Sequence, residues 1–303
     1  MSFASDTKKE LCRIKPQRCC RKAECYGLLL FGRSFSPQAV SLTTESLAAA
    51  HLAAEFAAEV AGAVMDISVP QTSRKDAVCT VSAVGEEQAA KVLACFGHSG
   101  HEISLRIGFA NLENDCCHAA FLRGVFLACG TVTAPEREYR LEFAVPYMNL
   151  ANDLAGCIHD VLELDLEPRV SRRKGAFVVY VKGGSRVADL LTFLGAPDAA
   201  MELLQVRMLK DLRNTVNRQT NFETANLEKT ASAAAQEVLA IRKIRQSGKL
   251  SALPDDLREL ASLRLQYPEM SLRELGQQLS VPLSRSGVHH RLQRILDFAG
   301  KIR

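Results

Sequence analysis

Leu122-Arg123-Gly124-Val125-Phe126-Leu127-Ala128-Cys129-Gly130 is an apolar helical run closed by a glycine, and Cys25-Tyr26-Gly27-Leu28-Leu29-Leu30-Phe31-Gly32 is a second run of the same kind. From Gly32 to Gly130 the offset is 98 residues, and the same shift carries Pro70 onto Pro168, Ser73 onto Ser171, Arg74 onto Arg172, Lys75 onto Arg173 and Gly97 onto Gly195. A unit of this length is therefore written twice. Hydrophobic periodicity predicts helices near 19–31, 45–62 and 86–96 in the first copy, with extended pieces near 40–43, 64–70 and 77–84. In the second copy it predicts helices near 116–129, 147–163 and 184–194 and strands near 139–145, 166–171 and 176–182. Each copy reads as αββαββα. Small residues in the two leading runs permit close approach, so these helices are expected to pair about a pseudo-two-fold axis.

Composition fixes the class of protein around this repeat. The 303 residues are 47% hydrophobic, enough for more than one packed domain and too apolar for a disordered chain. Charge is unevenly divided: residues 1–200 carry 21 basic and 23 acidic side chains, residues 201–303 carry 17 and 11. All ten cysteines lie in the first 157 residues. The start mixes charged with single apolar residues, unlike a signal peptide, and the run Leu47–Met65 is broken by His51, Glu55 and Glu59 at helical spacing. A cytoplasmic protein with reduced thiols and no membrane association is expected. The doublets Cys19-Cys20 and Cys116-Cys117 do not match zinc-finger spacing, so neither a metal nor another cofactor is expected.

The last third changes character. Leu204, Met208 and Leu212 recur at helical spacing within 201–216, and Thr224 can cap a second helix over about 225–246. Between them lies a polar segment containing Arg213 and Arg218, either a phosphate contact or an interdomain joint. Pro254-Asp255-Asp256 opens a helix that ends before Pro268; Ser271 with Glu274 forms a capping box for the next; Ser280-Val281-Pro282 leads to a third with Val288, Leu292 and Ile295 on one face. This is the tri-helical helix-turn-helix plan. The opposite side of the third helix presents Ser286, His289, His290, Gln293 and Arg294, with Ser284 and Arg285 at its start. Hydroxyls, amides and cations suit base edges and phosphates, and Arg273 and Arg291 complete the candidate DNA-binding set. Gly287, costly inside a helix, suggests a close backbone approach to DNA or to the preceding helix.

The fold class expected is α+β: a duplicated domain in repeats 1–110 and 111–200, a helical joint at 201–250 and an all-α helix-turn-helix domain at 251–303. Leu122, Gly124, Ala128 and Gly130 resemble the LAGLIDADG motif of homing endonucleases. In that family the last acidic residue holds a divalent cation; here the position reads Cys129 and, at the 98-residue offset, Phe31, neither of which offers carboxylate oxygen. The family's sheets face the duplex, which makes Arg74, Lys75, Arg172 and Arg173 secondary DNA candidates, together with Arg213 and Arg218.

A degenerate LAGLIDADG-like duplication followed by a helix-turn-helix resembles the WhiA family. The likeness extends over Met1-Ser2-Phe3-Ala4-Ser5, Leu122–Gly130, the stretch from Asn217-Arg218 through Asn221, Ala225-Asn226 and Lys229-Thr230, and Ser271–Ile295. It implies a sequence-specific transcriptional regulator of cell division, chromosome segregation or sporulation in Gram-positive bacteria. Such a regulator binds double-stranded promoter DNA at the nucleoid, accepts a protein partner on its larger domain and has no nuclease activity. The alternatives are a metal-dependent endonuclease and a division-machinery adaptor with incidental DNA binding.

Overall fold

The computed structural model describes residues 2–69, 78–173 and 175–302. The chain divides into two compact units, Met1–Asp211 and Leu212–Arg303. The first begins with α1 (Phe3–Leu11), capped by the Ser2 hydroxyl, which accepts from Ser5 N. Then come α2 (Arg18–Leu30), β1 (Ser34–Ser36), β2 (Ala39–Thr44), α3 (Leu47–Ala61), β3 (Met65–Ser68), β4 (Cys79–Ala83) and α4 (Glu86–Cys95). The second copy repeats the series as α5 (Asp115–Cys129), β5 (Gly130–Val132), β6 (Arg140–Val145), α6 (Met148–His159), β7 (Arg169–Arg173), β8 (Ala176–Lys182) and α7 (Gly184–Leu194). Two antiparallel sheets result, ordered β1-β2-β4-β3 and β5-β6-β8-β7. Alternation sets their register: Leu42 opposes Val81 and Phe143 opposes Val179, all buried on the helix-covered faces.

The duplication and its αββαββα order are as the sequence predicts. The short strands β1 and β5 complete that order at places where periodicity locates no strand, and helix α1 is an addition to it; each is too brief to leave a periodic signal. The repeat offset is also not constant. Starting residues differ by 97 between α2 and α5, by 101 between β2 and β6, and by 98 between α4 and α7, because the connecting loops differ in length.

At the α2/α5 crossing the offset can be read from packing. A Cβ on Gly27 would overlap the Phe121 carbonyl oxygen and lie 3.0 Å from Val125 N; a Cβ on Gly124 would overlap the Glu24 carbonyl oxygen and lie 3.0 Å from Leu28 N. The two halves of this contact are reciprocal at a separation of 97 residues, the signature of a pseudo-two-fold axis between the helices. The equivalent of Cys129 is consequently Gly32, not Phe31. Beside the crossing, Arg123 donates to Glu24 Oε2 at 2.8 Å and to the Leu194 carbonyl at 3.1 Å, with both side chains almost wholly out of solvent.

Helix α8 (Pro197–Gln246) runs without interruption where two helices and a polar joint were expected. No glycine or proline falls between Pro197 and Gly248, so nothing in the Asn- and Arg-rich stretch breaks the backbone. Leu204, Met208 and Leu212 are exposed within their own units. In the second unit, Ile241 and Ile244 of α8 share a core with α9 (Asp255–Gln266), α10 (Leu272–Gln278) and α11 (Arg285–Gly300). A buried ion pair ties this core: Arg264 Nε lies 2.8 Å from Glu237 Oε2, and the same guanidinium donates to the Met270 carbonyl at 2.7 Å, fixing the turn after α9.

Candidate nucleic-acid interface

The helix-turn-helix is held by local chemistry at each joint. Ser271 and Glu274 form the expected capping box, Ser271 N donating to Glu274 Oε2 at 2.8 Å and Glu274 N donating to Ser271 Oγ at 3.3 Å. These bonds hold the Glu274 carboxyl below the usual carboxylate range. The turn is pinned to α9, where Glu259 accepts from Ser280 N at 2.6 Å and from Ser280 Oγ at 2.8 Å and is likewise held low. Leu283 N donates to the Gly276 carbonyl at 3.0 Å, and a Cβ at Gly276 would overlap the Leu283 carbonyl oxygen. Gly276, which no sequence pattern singles out, is thus the glycine the turn requires. A Cβ at Gly287 would meet Leu283 at an ordinary 3.6 Å, so the chain itself gives no steric reason for that glycine.

Ser284 caps α11, accepting from Gly287 N at 3.2 Å. Val288, Leu292 and Ile295 are buried as the periodicity predicts, and Ser284, Arg285, Ser286, His289, His290, Gln293 and Arg294 are exposed on the other side, with Arg273 exposed on α10. Arg291 stands apart from that set. It is half-buried, with Nε 3.4 Å from Asp256 Oδ2 on α9, so its guanidinium braces the helices. Arg294 approaches the same carboxylate at 3.9 Å but keeps a side-chain exposure of 60%.

Comparison with known proteins gives this arrangement a family. The family model of the WhiA C-terminal HTH domain matches residues 216–299, and that of the WhiA LAGLIDADG-like domain matches residues 118–213. The probable cell division protein WhiA of Ruminiclostridium cellulolyticum is 36% identical over 311 residues, covering 100% of this chain and 98% of its own length. The chain belongs to the WhiA family. A relative of the same name from Heliobacterium modesticaldum is 38% identical over 309 residues, covering 99% of this chain and 96% of its own. The crystal structure of full-length WhiA from Thermotoga maritima shares the fold, with a TM-score of 0.61 at 22% identity over 99% of both chains.

In this WhiA-family chain the end of α5 differs chemically from a metal-dependent nuclease site. Burial pushes the Cys129 thiol up to about 12, with Lys8 opposing, and Gly32 has no side chain. Lys8, on α1, donates to the Leu127 carbonyl at 3.2 Å and lies 5.8 Å from the centre of the Phe126 ring. Burial lowers its pKa, against the attraction of Cys129 and Glu45. Glu10, two residues on, accepts from Asp198 N at 2.8 Å and Ala199 N at 3.1 Å, so α1 also caps the start of α8.

The outer faces of the two sheets are unlike. The first is a hydroxyl surface, with Ser34 opposite Ser41, Ser41 opposite Ser82, Thr43 opposite Thr80, and Asp66 also opposite Ser82. The second carries Arg140, Arg169, Arg173 and Lys182, with the Arg140 guanidinium 4.3 Å from the Tyr180 ring centre and 2.7 Å from Glu142. Arg172 and Arg173 are exposed on β7, and Arg173 lies 3.7 Å from Glu142. Arg213 and Arg218 are exposed on α8, whereas Arg74 and Lys75 lie outside the described residues. Arg140, Tyr180 and Lys182 were missed by sequence reasoning, although strand alternation already places all three on one face. Sequence spacing also gave no hint that Cys19, Cys20, Cys116 and Cys117 come together, with their sulfur atoms within 4.8 Å of one another.

Proposed function

We propose that this chain is a sequence-specific transcriptional regulator that reads double-stranded promoter DNA through α11, serves cell division, chromosome segregation or sporulation, and does not cleave DNA. The supporting observation is the exposed face of α11. A capped helix N-terminus carries Ser284, Arg285 and Ser286, followed a turn later by His289, His290 and Gln293, while the opposite side is locked into a core. A recognition helix needs this division between a fixed side and a groove-facing side. Arg273 on α10 and Arg294 further along α11 supply phosphate contacts. The second sheet's cationic face offers a subsidiary contact, and the body of the first unit is the place for a protein partner. No helix among the described residues is long and apolar enough to cross a membrane, and we place the protein in the cytoplasm at the nucleoid.

The nuclease alternative is disfavoured by the ends of α2 and α5, where Gly32, with no side chain, and the buried thiol of Cys129 stand in place of paired carboxylates, with the Lys8 side chain beside the latter. The test has two arms. Chromatin capture followed by mobility-shift titration of the recovered sequences should show discrete promoter sites bound well above random DNA; uniform binding along the chromosome overturns the regulatory reading. Supercoiled plasmid incubated with the protein and Mg²⁺ or Mn²⁺ should stay supercoiled; nicking that copurifies with the protein overturns the non-cleaving one.

A further inference from the structure

Cys19 and Cys20 lie in the first turn of α2, and Cys116 and Cys117 occupy the same positions in α5. Cys19 and Cys116 are 97 residues apart, as are Cys20 and Cys117, the separation that relates Gly27 to Gly124 at the helix crossing. The pseudo-two-fold axis therefore passes through the thiols as well as through the glycines. Cys19 Sγ is 3.9 Å from Cys20 Sγ and 3.9 Å from Cys116 Sγ, and all four sulfur atoms lie within 4.8 Å of one another.

We propose that Cys19, Cys20, Cys116 and Cys117 form a tetrathiolate site for one soft divalent cation, zinc being the best fit. Four sulfurs about 2.3 Å from a central zinc in a tetrahedron stand about 3.8 Å from one another, so the two 3.9 Å pairs already have the ligand spacing. A tetrahedron contains two-fold axes. Two ligand pairs related by such an axis match it without distortion of either helix start.

The competing uses of these thiols fit less well. Disulfides would draw the sulfurs together in pairs at about 2.05 Å, whereas the four thiols are free and stand 3.9 Å apart in both the Cys19–Cys20 and the Cys19–Cys116 pairs, each sulfur near all the others. An iron–sulfur cubane takes one cysteine at each corner from outside and needs a wider cage than a group this compact. The surroundings favour a thiolate-bound cation. Both helices begin at the group, and helix N-termini favour negative charge there. Cys20 and Cys117 are buried and held in place, whereas Cys116 is exposed and Cys19 half-exposed, which leaves a path from solvent. Asn114 Nδ2 lies 4.0 Å from Cys117 Sγ, positioned as an outer-shell donor. Loading ties the start of one repeat's leading helix to the start of the other's, at the end of the helix pair away from Gly32 and Cys129.

The test uses the full-length protein, purified under reducing conditions without chelator. Elemental analysis should find about one zinc per chain. After chelation and anaerobic titration with Co²⁺, an intense sulfur-to-cobalt charge-transfer band and tetrahedral d–d absorption should saturate near one equivalent. Cys116→Ser and Cys19→Ser should weaken cobalt binding about tenfold or more, whereas Cys12→Ser and Cys157→Ser, outside the group, should not change it. Far-UV circular dichroism checks that each variant is folded, and the wild-type titration stands alone if one is not. Three results overturn the site: no charge-transfer band in the wild type, a band that survives the Cys19→Ser/Cys116→Ser double variant, or iron–sulfur absorption in the isolated protein.

Discussion

Gly27 and Gly124 meet at the crossing of α2 and α5, each pressed against the backbone of the opposite helix with no room for a methyl group. The obstacles are carbonyl oxygens, which cannot rotate away as a side chain can. Gly27→Ala or Gly124→Ala should therefore push the helices apart at a cost of about 3 kcal/mol or more, read as a drop in denaturation midpoint. Gly156→Ala is the control. That glycine lies inside α6 with nothing within 4 Å of the added carbon, and the substitution should stabilise by about 0.5–1 kcal/mol.

The Arg123–Glu24 pair beside this crossing gives a second expectation. Burial raises the Glu24 pKa, and the hydrogen bond and charge of Arg123 only partly counter it. Arg123→Met leaves an unpaired buried carboxylate and should cost about 3–5 kcal/mol at neutral pH, whereas the Arg123→Met/Glu24→Leu double variant should recover much of that loss. The sign with pH follows from the raised value. The folded state holds the Glu24 proton more readily than the unfolded chain does, so the penalty of Arg123→Met should begin to shrink as pH falls through the raised pKa of the folded carboxyl and be gone below the ordinary value of about 4.3. Urea midpoints of both variants across that range check this.

Much of this fold is legible in the residues because the repeat is written in features that do not depend on loop length. Gly124 and its surroundings mark a helix pair, and the apolar run Phe177–Val181 and the alternation around Phe143 mark strands. A single 98-residue offset blurred the comparison, since the leading helices are related at 97 while intervening loops lengthen one copy. That one-residue error placed the lost acidic position at Phe31 and hid the symmetry of the cysteine doublets. Helix α1 escaped notice because it buries only Thr7 and Leu11, too few for a periodic signal. On α11 the helical wheel separated core from open face correctly, but it has no information on what lies beside Arg291. The carboxylate of Asp256 comes from another helix, and only tertiary structure brings it there.

His98 predicts how stability responds to mild acid. Its Nε2 is 2.9 Å from the Tyr26 hydroxyl, its Nδ1 is 3.7 Å from Glu102 Oε1, and the Phe35 ring packs edge-on with centroids 5.2 Å apart. Burial lowers the His98 pKa, with Glu102 pulling the other way. The unfolded chain therefore binds a proton that the folded chain refuses, and stability should decline as pH falls below about 6.5. His98→Gln keeps a polar partner for Tyr26 and removes the titration, so its unfolding free energy should vary less between pH of about 5 and about 7 than that of the unaltered protein. Equal slopes for the two would show that His98 titrates freely.

Three arginines of α11 separate groove contact from internal bracing. Arg285 is exposed at the helix start, Arg294 is exposed while lying 3.9 Å from Asp256, and Arg291 is half-buried with its guanidinium 3.4 Å from that carboxylate. If α11 reads DNA, Arg285→Ala and Arg294→Ala should each weaken binding and reduce the slope of log affinity against log salt by about 0.9 for each phosphate left without its cation, while the folded unit keeps its melting temperature. Arg291→Ala should do the reverse. Removing it strips Asp256 of its nearer cation and should lower the melting temperature of the second unit, yet leave the salt slope close to that of the parent. Parallel salt titrations and thermal melts of the three variants decide the assignment: a slope change in Arg291→Ala as large as in Arg285→Ala would move Arg291 into the interface and displace Asp256 as its working partner.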